Sequence, residues 1–198
     1  MKLTKKERTQ HEIIQSAKKI VHDEGYEAVT ARHLAEVTGY SHTNLYYYFR
    51  DLNALFWVLR LDMIEDMIVE LTAVSYTKHD PVEEILEAFL CYADYFFKHP
   101  NVFRFFYFCT FVQPAGDDGY QKLEEKFRGI WQHSFSRLMK EGVIQPKDIE
   151  IVSKTIIYAL QGMIMLSFSS NGTSVQEDIK GELSKLINYL LNKNQDYI

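Results

Sequence analysis

The first 80 residues contain no proline, while apolar side chains recur through them at helical spacing. A chain with that pattern and no period-two alternation buries its apolar residues as helices. All four prolines, Pro81, Pro100, Pro114 and Pro146, fall where a helical pattern starts or stops, as residues without an amide hydrogen must. Ile13, Ile14, Ala17, Ile20 and Val21 define a first helix from about Lys5 to Asp23, with Gly25 as a left-handed stop. Thr30 offers the cap of a second helix carrying Leu34, Ala35 and Val37 and ended by Gly39; Ser41 caps a third, with Leu45 and Phe49 turned inward. A fourth runs from Asp51 to about Val74 along the stripe Leu55, Leu59, Met63 and Met67. Asp80, Pro81, Val82 and Glu83 form a strong start for a fifth, which His99 and Pro100 end. Asn101 is the expected cap of the run Val102 to Phe111, and a seventh helix is expected from near Asp118 to Gly142. The eighth covers about Lys147 to Ser169; the ninth opens at Ser174, with Glu177 as capping-box partner, and ends near Asn192. The expected fold class is all-α with about nine helices, divided into residues 1–52 and 53–198.

With 198 residues and 46% hydrophobic content the chain can build a core without staples. Its two cysteines, Cys91 and Cys109, are too few for a disulfide scaffold or a four-thiolate zinc site, and buried packing suits them better than thiol sensing, since no lysine or arginine adjoins either. The polar, charged start carries no secretory signal, so a cytoplasmic location is expected. The apolar stretch Ile156 to Phe168, interrupted by Gln161 and Gly162, falls short of the roughly 20 residues a bilayer requires and is expected to be a buried helix, with no membrane partner. No metal site and no cofactor is expected: the seven histidines show no ligand spacing, and no Gly-rich phosphate loop, nucleophile elbow or His-Glu-x-x-His arrangement is present. These absences argue against an enzyme.

Net charge is -5, which taken whole disfavours a nucleic-acid binder, but it is unevenly placed. Lys2, Lys5, Lys6, Arg8, Lys18 and Lys19 face only Glu7 and Glu12 within the first 20 residues, whereas from residue 56 onward 14 basic residues meet 20 acidic ones. A basic arm on an acidic body is expected where one end meets phosphate; a solvated helix end would give the same local excess.

Residues 30–49 spell a helix, a Gly-containing turn and a second helix, the arrangement that presents an exposed helical face to a major groove. Turning Leu45 and Phe49 inward leaves His42, Thr43, Tyr46 and Tyr47 on other faces. Tyr46, Tyr47 and Tyr48 cannot all enter the core, because a helix turns about 100° per residue. The exposed rings suit either phosphate and base contact or a helix–helix interface, as in a helical adaptor that binds protein.

The ordered set Gly25, Tyr26, Thr30, Leu34, Ala35, Gly39, Ser41, Leu45, Tyr46, Tyr48, Phe49 and Leu55 resembles the N-terminal signature of the TetR family of transcriptional regulators. The resemblance implies a homodimer, one helix-turn-helix per subunit, reading a near-palindromic double-stranded DNA operator. It carries the DNA-facing positions over to Thr30, Ala31, Ser41, His42, Thr43, Tyr46, Tyr47 and Tyr48. Tyr46 and Tyr48 would clamp phosphates, and His42, Thr43 and Tyr47 would approach base edges. The family usually has Gly or Ala where Thr43 stands, often Thr at Ala31, and a phosphate-binding lysine at Leu52. Its loss here implies greater reliance on the basic arm and a weaker salt dependence.

Aromatic residues concentrate in the middle of the chain: residues 56–135 hold 18 of the 28. So many rings suit either a plain aromatic core or a lined cavity, and the resemblance places an effector pocket among the fourth to seventh helices. Helix position selects Trp57, Met63, Tyr92, Phe96, Phe106, Phe127 and Trp131 as its candidates, for a small apolar or planar effector, or a cationic one near Asp62 or Asp66. The last two helices carry Ile156, Ile157, Leu160, Met163, Ile164, Leu186, Ile187, Leu190 and Leu191, an excess suited to a homodimer through the eighth and ninth helices, where Gly162 would let backbones approach. The expected function is a ligand-responsive repressor released from its operator when the effector binds.

Overall fold

The computed structural model describes residues 4–73, 80–169 and 176–192. Among them the chain forms nine α-helices and no strand: α1 (Lys5–Glu24), α2 (Ala31–Thr38), α3 (His42–Tyr48), α4 (Leu52–Ala73), α5 (Pro81–Lys98), α6 (Pro100–Phe108), α7 (Gly119–Lys140), α8 (Ile149–Phe168) and α9 (Gln176–Asn192). Single 3-10 turns, Tyr26–Ala28 and Pro146–Asp148, precede α2 and α8. The chain divides into two compact units, Met1–Met67 with His99–Glu124, and Ile68–Lys98 with Glu125–Ile198.

The first unit gathers around α1. Its stripe Ile13, Ala17, Ile20 and Val21 is 0–3% exposed, and α2, α3 and α6 pack against it. Leu34, Leu45 and Phe49 fill the space between the short helices, and Leu55, Leu59 and Met63 carry the core along α4, as the four-residue spacing requires. The start of α1 is fixed by a capping box legible in Thr4-x-x-Glu7: Thr4 Oγ1 accepts from Glu7 N at 3.2 Å and Glu7 Oε2 accepts from Thr4 N at 2.7 Å. Lys18 crosses to α4, where both Asp62 and Asp66 hold its ammonium. Burial alone would depress that lysine, but the two carboxylates outweigh it and raise its pKa.

Two details depart from the expected pattern. Gly25 stops α1 with φ 95° and ψ 162°, a positive-φ extended conformation and not the left-handed helical one, because the chain turns straight into the 3-10 turn. Asn101 caps nothing: α6 begins one residue earlier, with Pro100 in its first turn, and Asn101 Nδ2 donates to the carbonyl of His22 at 2.9 Å. The unmet carbonyls at the end of α1 are the stronger claim on that amide.

In the second unit α5 packs on α8 and α9. Ile85, Phe89, Tyr92 and Phe96 meet Val152, Ile156, Leu160 and Ile164 of α8 and Ile179, Leu183, Ile187 and Leu191 of α9 in a core where all are at most 9% exposed. Helix α8 departs from the expected buried helix. It is the one described helix long and apolar enough to cross a membrane by length and composition, yet only 17% of that window is buried. One stripe enters the core, while Ile151, Tyr158, Met165 and Leu166 stay exposed. Ile156, Leu160, Ile164, Ile187 and Leu191, expected at an intersubunit surface, are spent on this internal core. A Cβ at Gly162 would meet nothing within 4 Å, so no close approach inside the chain requires a glycine there. The expected capping box of the last helix, Ser174 with Glu177, lies outside the described residues.

Candidate nucleic-acid interface

Helices α2 and α3 each start at a side-chain cap, and α2 also ends at a glycine cap. Thr30 Oγ1 accepts from His33 N at 3.1 Å, and Ser41 Oγ accepts from Asn44 N at 3.2 Å. Gly39 adopts φ 72° and ψ 6°, the left-handed cap that lets the chain reverse between them. Thr38 reinforces the turn: its hydroxyl donates to the Leu34 carbonyl at 2.6 Å and accepts from Tyr40 N at 3.3 Å. Tyr40 then donates its hydroxyl to Glu12 of α1 at 2.5 Å, which raises the phenol pKa and ties the turn to α1. Gln10 adds a longer bond to the carbonyl of Tyr48, at 3.4 Å. Because a Cβ at Gly39 would meet no atom within 4 Å, Gly39→Ala isolates the backbone cost. That substitution is expected to lower stability by about 1 kcal/mol, with Gly39→Asn costing less, as chemical denaturation would register.

This frame sorts the tyrosines. Leu45 and Phe49 are 6% and 8% exposed, and α3 turns the opposite side outward. Tyr47 is 69% exposed and Tyr46 51%, while Tyr48 is half-buried with its ring 5.1 Å from that of Tyr47, edge to face. Thr30, Ser41, His42 and Thr43 are exposed, and Ala31 is half-buried beside Leu34, Leu45 and Tyr46. Leu52 closes the same small apolar space together with Ile13, Phe49 and Leu55. The eight expected DNA-facing residues therefore lie on α2, α3 and the segments that cap them.

Sequence reasoning expects the basic arm to meet phosphate, but it does not pair that arm with Tyr47. The ammonium of Lys6 lies 5.6 Å from the centre of the Tyr47 ring, within cation–π range. Lys5, Lys6 and Arg8 are exposed around the first turn of α1, where positive charge opposes the helix dipole. Three cations at an end that favours anions point to a use other than stability.

The seven effector candidates fall in both units. Trp57, Met63 and Phe106 belong to the first; the first two are 3% and 1% exposed, and Phe106 is half-buried. Tyr92, Phe96, Phe127 and Trp131 belong to the second and cluster there, with the Tyr92 ring 4.9 Å from Phe96, 5.7 Å from Phe127 and 6.3 Å from Trp131. Trp131 also stacks on Phe89 at 4.3 Å. Of the seven, Trp131 lines an open groove of about 550 Å³, together with Arg128, Phe135, Met139, Ile149 and Ser153. Among the described residues no group of three or more His, Cys, Asp or Glu side chains is placed to hold a metal.

An all-helical chain with a capped helix-turn-helix near its N-terminus is the architecture of helix-turn-helix regulators. Residues 13–57 match the model of the family described as bacterial regulatory proteins, tetR family. A tetR-family transcriptional regulator from Streptomyces coelicolor superposes with a TM-score of 0.70 at 16% identity, covering 100% of this chain and 85% of that one. RolR, solved in complex with resorcinol, gives 0.66 at 16% identity over 92% and 88% of the two chains. PfmR, a TetR family regulator from Thermus thermophilus, gives 0.64 at 20% identity over 88% and 96%. At these identities the likeness is one of fold. No curated protein sequence matches.

Proposed function

We propose that the chain is a homodimeric, cytoplasmic transcriptional repressor, not an enzyme, that leaves a near-palindromic operator when a small apolar or aromatic effector binds. Residues 1–52 read DNA and residues 53–198 bind the effector and dimerise. The carrying observation is the Tyr47 ring, largely exposed on α3 with the Lys6 ammonium above it. An exposed aromatic on the outward face of a recognition helix, flanked by exposed basic charge, suits a surface that meets both sugar-phosphate and base edges. The exposed Ile151, Tyr158, Met165 and Leu166 of α8 and Tyr189 of α9 favour pairing through these two helices, which would cover an apolar face left open to water. The resorcinol bound by RolR supports a small aromatic effector.

Selection of bound sequences from random duplex DNA at two salt concentrations tests the reading. Enrichment of a two-fold symmetric site with half-sites about one helical turn apart is expected; enrichment of nothing would reject it. On the selected site, replacing Lys5, Lys6 and Arg8 together by alanine is expected to flatten the salt dependence, the slope falling by about 0.9 for each phosphate no longer neutralised. An unchanged slope would remove the basic arm from the interface.

A further inference from the structure

Within the first unit, α4 sets Trp57 and Arg60 three residues apart, on one side of the helix. The chain beyond α6 returns along that side. The ring centre of Phe111 lies 4.4 Å from the Arg60 guanidinium carbon and that of Tyr120 lies 4.6 Å from it, while the Tyr120 ring is 6.3 Å from that of Trp57. The start of α7 comes close to α4 here: a Cβ at Gly119 would stand 2.8 Å from Leu61 Cδ1, so a side chain at Gly119 would require the Leu61 side chain to shift. Asp117 holds that turn by accepting from Gly119 N at 2.8 Å.

Two donors in this cluster have no acceptor among the described residues. They are Trp57 Nε1, on a side chain 3% exposed, and Arg60 Nε, both closed off from solvent. Buried donors are normally met, and a charged one left unmet is the more costly. The neighbouring acids on α4 offer no remedy, because Asp62 and Asp66 are both taken by Lys18. That pairing also removes the carboxylates a cationic effector would have used. What the cluster lacks is an acceptor, its charge is positive, and its walls are aromatic.

We propose that Trp57 and Arg60 anchor the carboxylate of an aromatic monocarboxylic acid whose ring lies against Phe111 and Tyr120. A carboxylate offers two oxygens to the two donors and matches the planar guanidinium, while the ring supplies apolar area to the walls. This rests on the effector-responsive reading above and specifies the chemistry of its ligand.

Isothermal titration calorimetry of the full chain with 1-naphthoate and with 1-naphthamide tests it, the two probes differing in charge at nearly equal shape. The acid is expected to bind at least about tenfold more tightly than the amide, charge-assisted hydrogen bonds being roughly twice as strong as neutral ones. Arg60→Met is expected to erase that preference and leave amide binding in place, Arg60→Lys to restore part of it, and Trp57→Phe to weaken the acid by about tenfold through the missing donor. Helical circular dichroism on each variant reports folding. Failure of the wild-type chain to bind the acid, equal affinity for acid and amide, or a folded Arg60→Met variant that keeps the preference would each overturn the proposal. If Arg60→Met does not fold, the wild-type acid-to-amide ratio and Trp57→Phe decide it. The titration contains no DNA, so failure of operator binding is seen separately, and saturating naphthoate that binds without releasing DNA would count against the repressor reading alone.

Discussion

Tyr47→Ala is expected to weaken operator binding by more than about thirtyfold in a gel retardation assay while leaving helical content and dimerisation unchanged. The magnitude follows from roughly 1–3 kcal/mol for each base-edge contact, counted once per half-site in a two-fold complex. The neutrality toward folding follows from exposure: the side chain is 69% open, and its neighbours are the edge of Tyr48 and the ammonium of Lys6. Surface substitutions of that kind usually change stability by no more than about 0.5 kcal/mol. Tyr47→Phe divides the effect, since it keeps the ring and its partner cation and removes only the hydroxyl. If Tyr47→Phe binds as tightly as the unmodified protein, the ring is the reader, through stacking on sugar or a thymine methyl. If it falls with Tyr47→Ala, the hydroxyl is. Unaltered retardation by Tyr47→Ala would take α3 out of the interface altogether.

The same residue shows how much of the interface could be read from the sequence. Leu45 and Phe49 fix which side of α3 is buried, so the outward side follows from the helical repeat alone, and the caps Thr30 and Ser41 follow from their hydroxyls. The proximity of Lys6 to Tyr47 joins residues 41 positions apart and depends on how α1 crosses α3; no local pattern encodes it. The bond from Asn101 to the His22 carbonyl is of the same kind, a long-range demand that overrode a good local capping signal. Apolar excess on α8 was likewise visible, but periodicity does not say whether a stripe meets its own unit or a second copy. The structure gives Ile156, Leu160 and Ile164 to the core and leaves Ile151, Tyr158, Met165 and Leu166 outside. The position of Trp57 among the rings is a local feature of α4, whereas the part of Arg60 depends on Phe111 and Tyr120, which come from beyond α6 to close on it.

The second large effect lies in the second unit. Glu84 of α5 is 1% exposed, and its two oxygens accept from Ser134 Oγ at 2.6 Å and Arg137 Nη1 at 2.5 Å, both on α7. Arg137 is the less buried partner, its side chain 25% exposed, and also reaches Glu141 at 3.8 Å. The two halves of the pair are therefore unequal. Arg137→Met strands a carboxylate in the core and is expected to cost about 3–5 kcal/mol in urea unfolding followed by circular dichroism. Glu84→Gln keeps the side-chain length and one acceptor oxygen, turns the other into an amide donor, and leaves an arginine that can still turn toward water and Glu141, so a smaller loss of about 1–2 kcal/mol is expected. Combining Glu84→Leu with Arg137→Met replaces the pair by apolar groups and should recover most of the Arg137→Met loss, because a buried ion pair contributes little net stability over a well-packed apolar one. If Glu84→Gln proved the costlier single change, or the combined variant were no better than Arg137→Met, burial would not be what sets the cost. The link between α5 and α7 would then depend on hydrogen-bond geometry at Ser134.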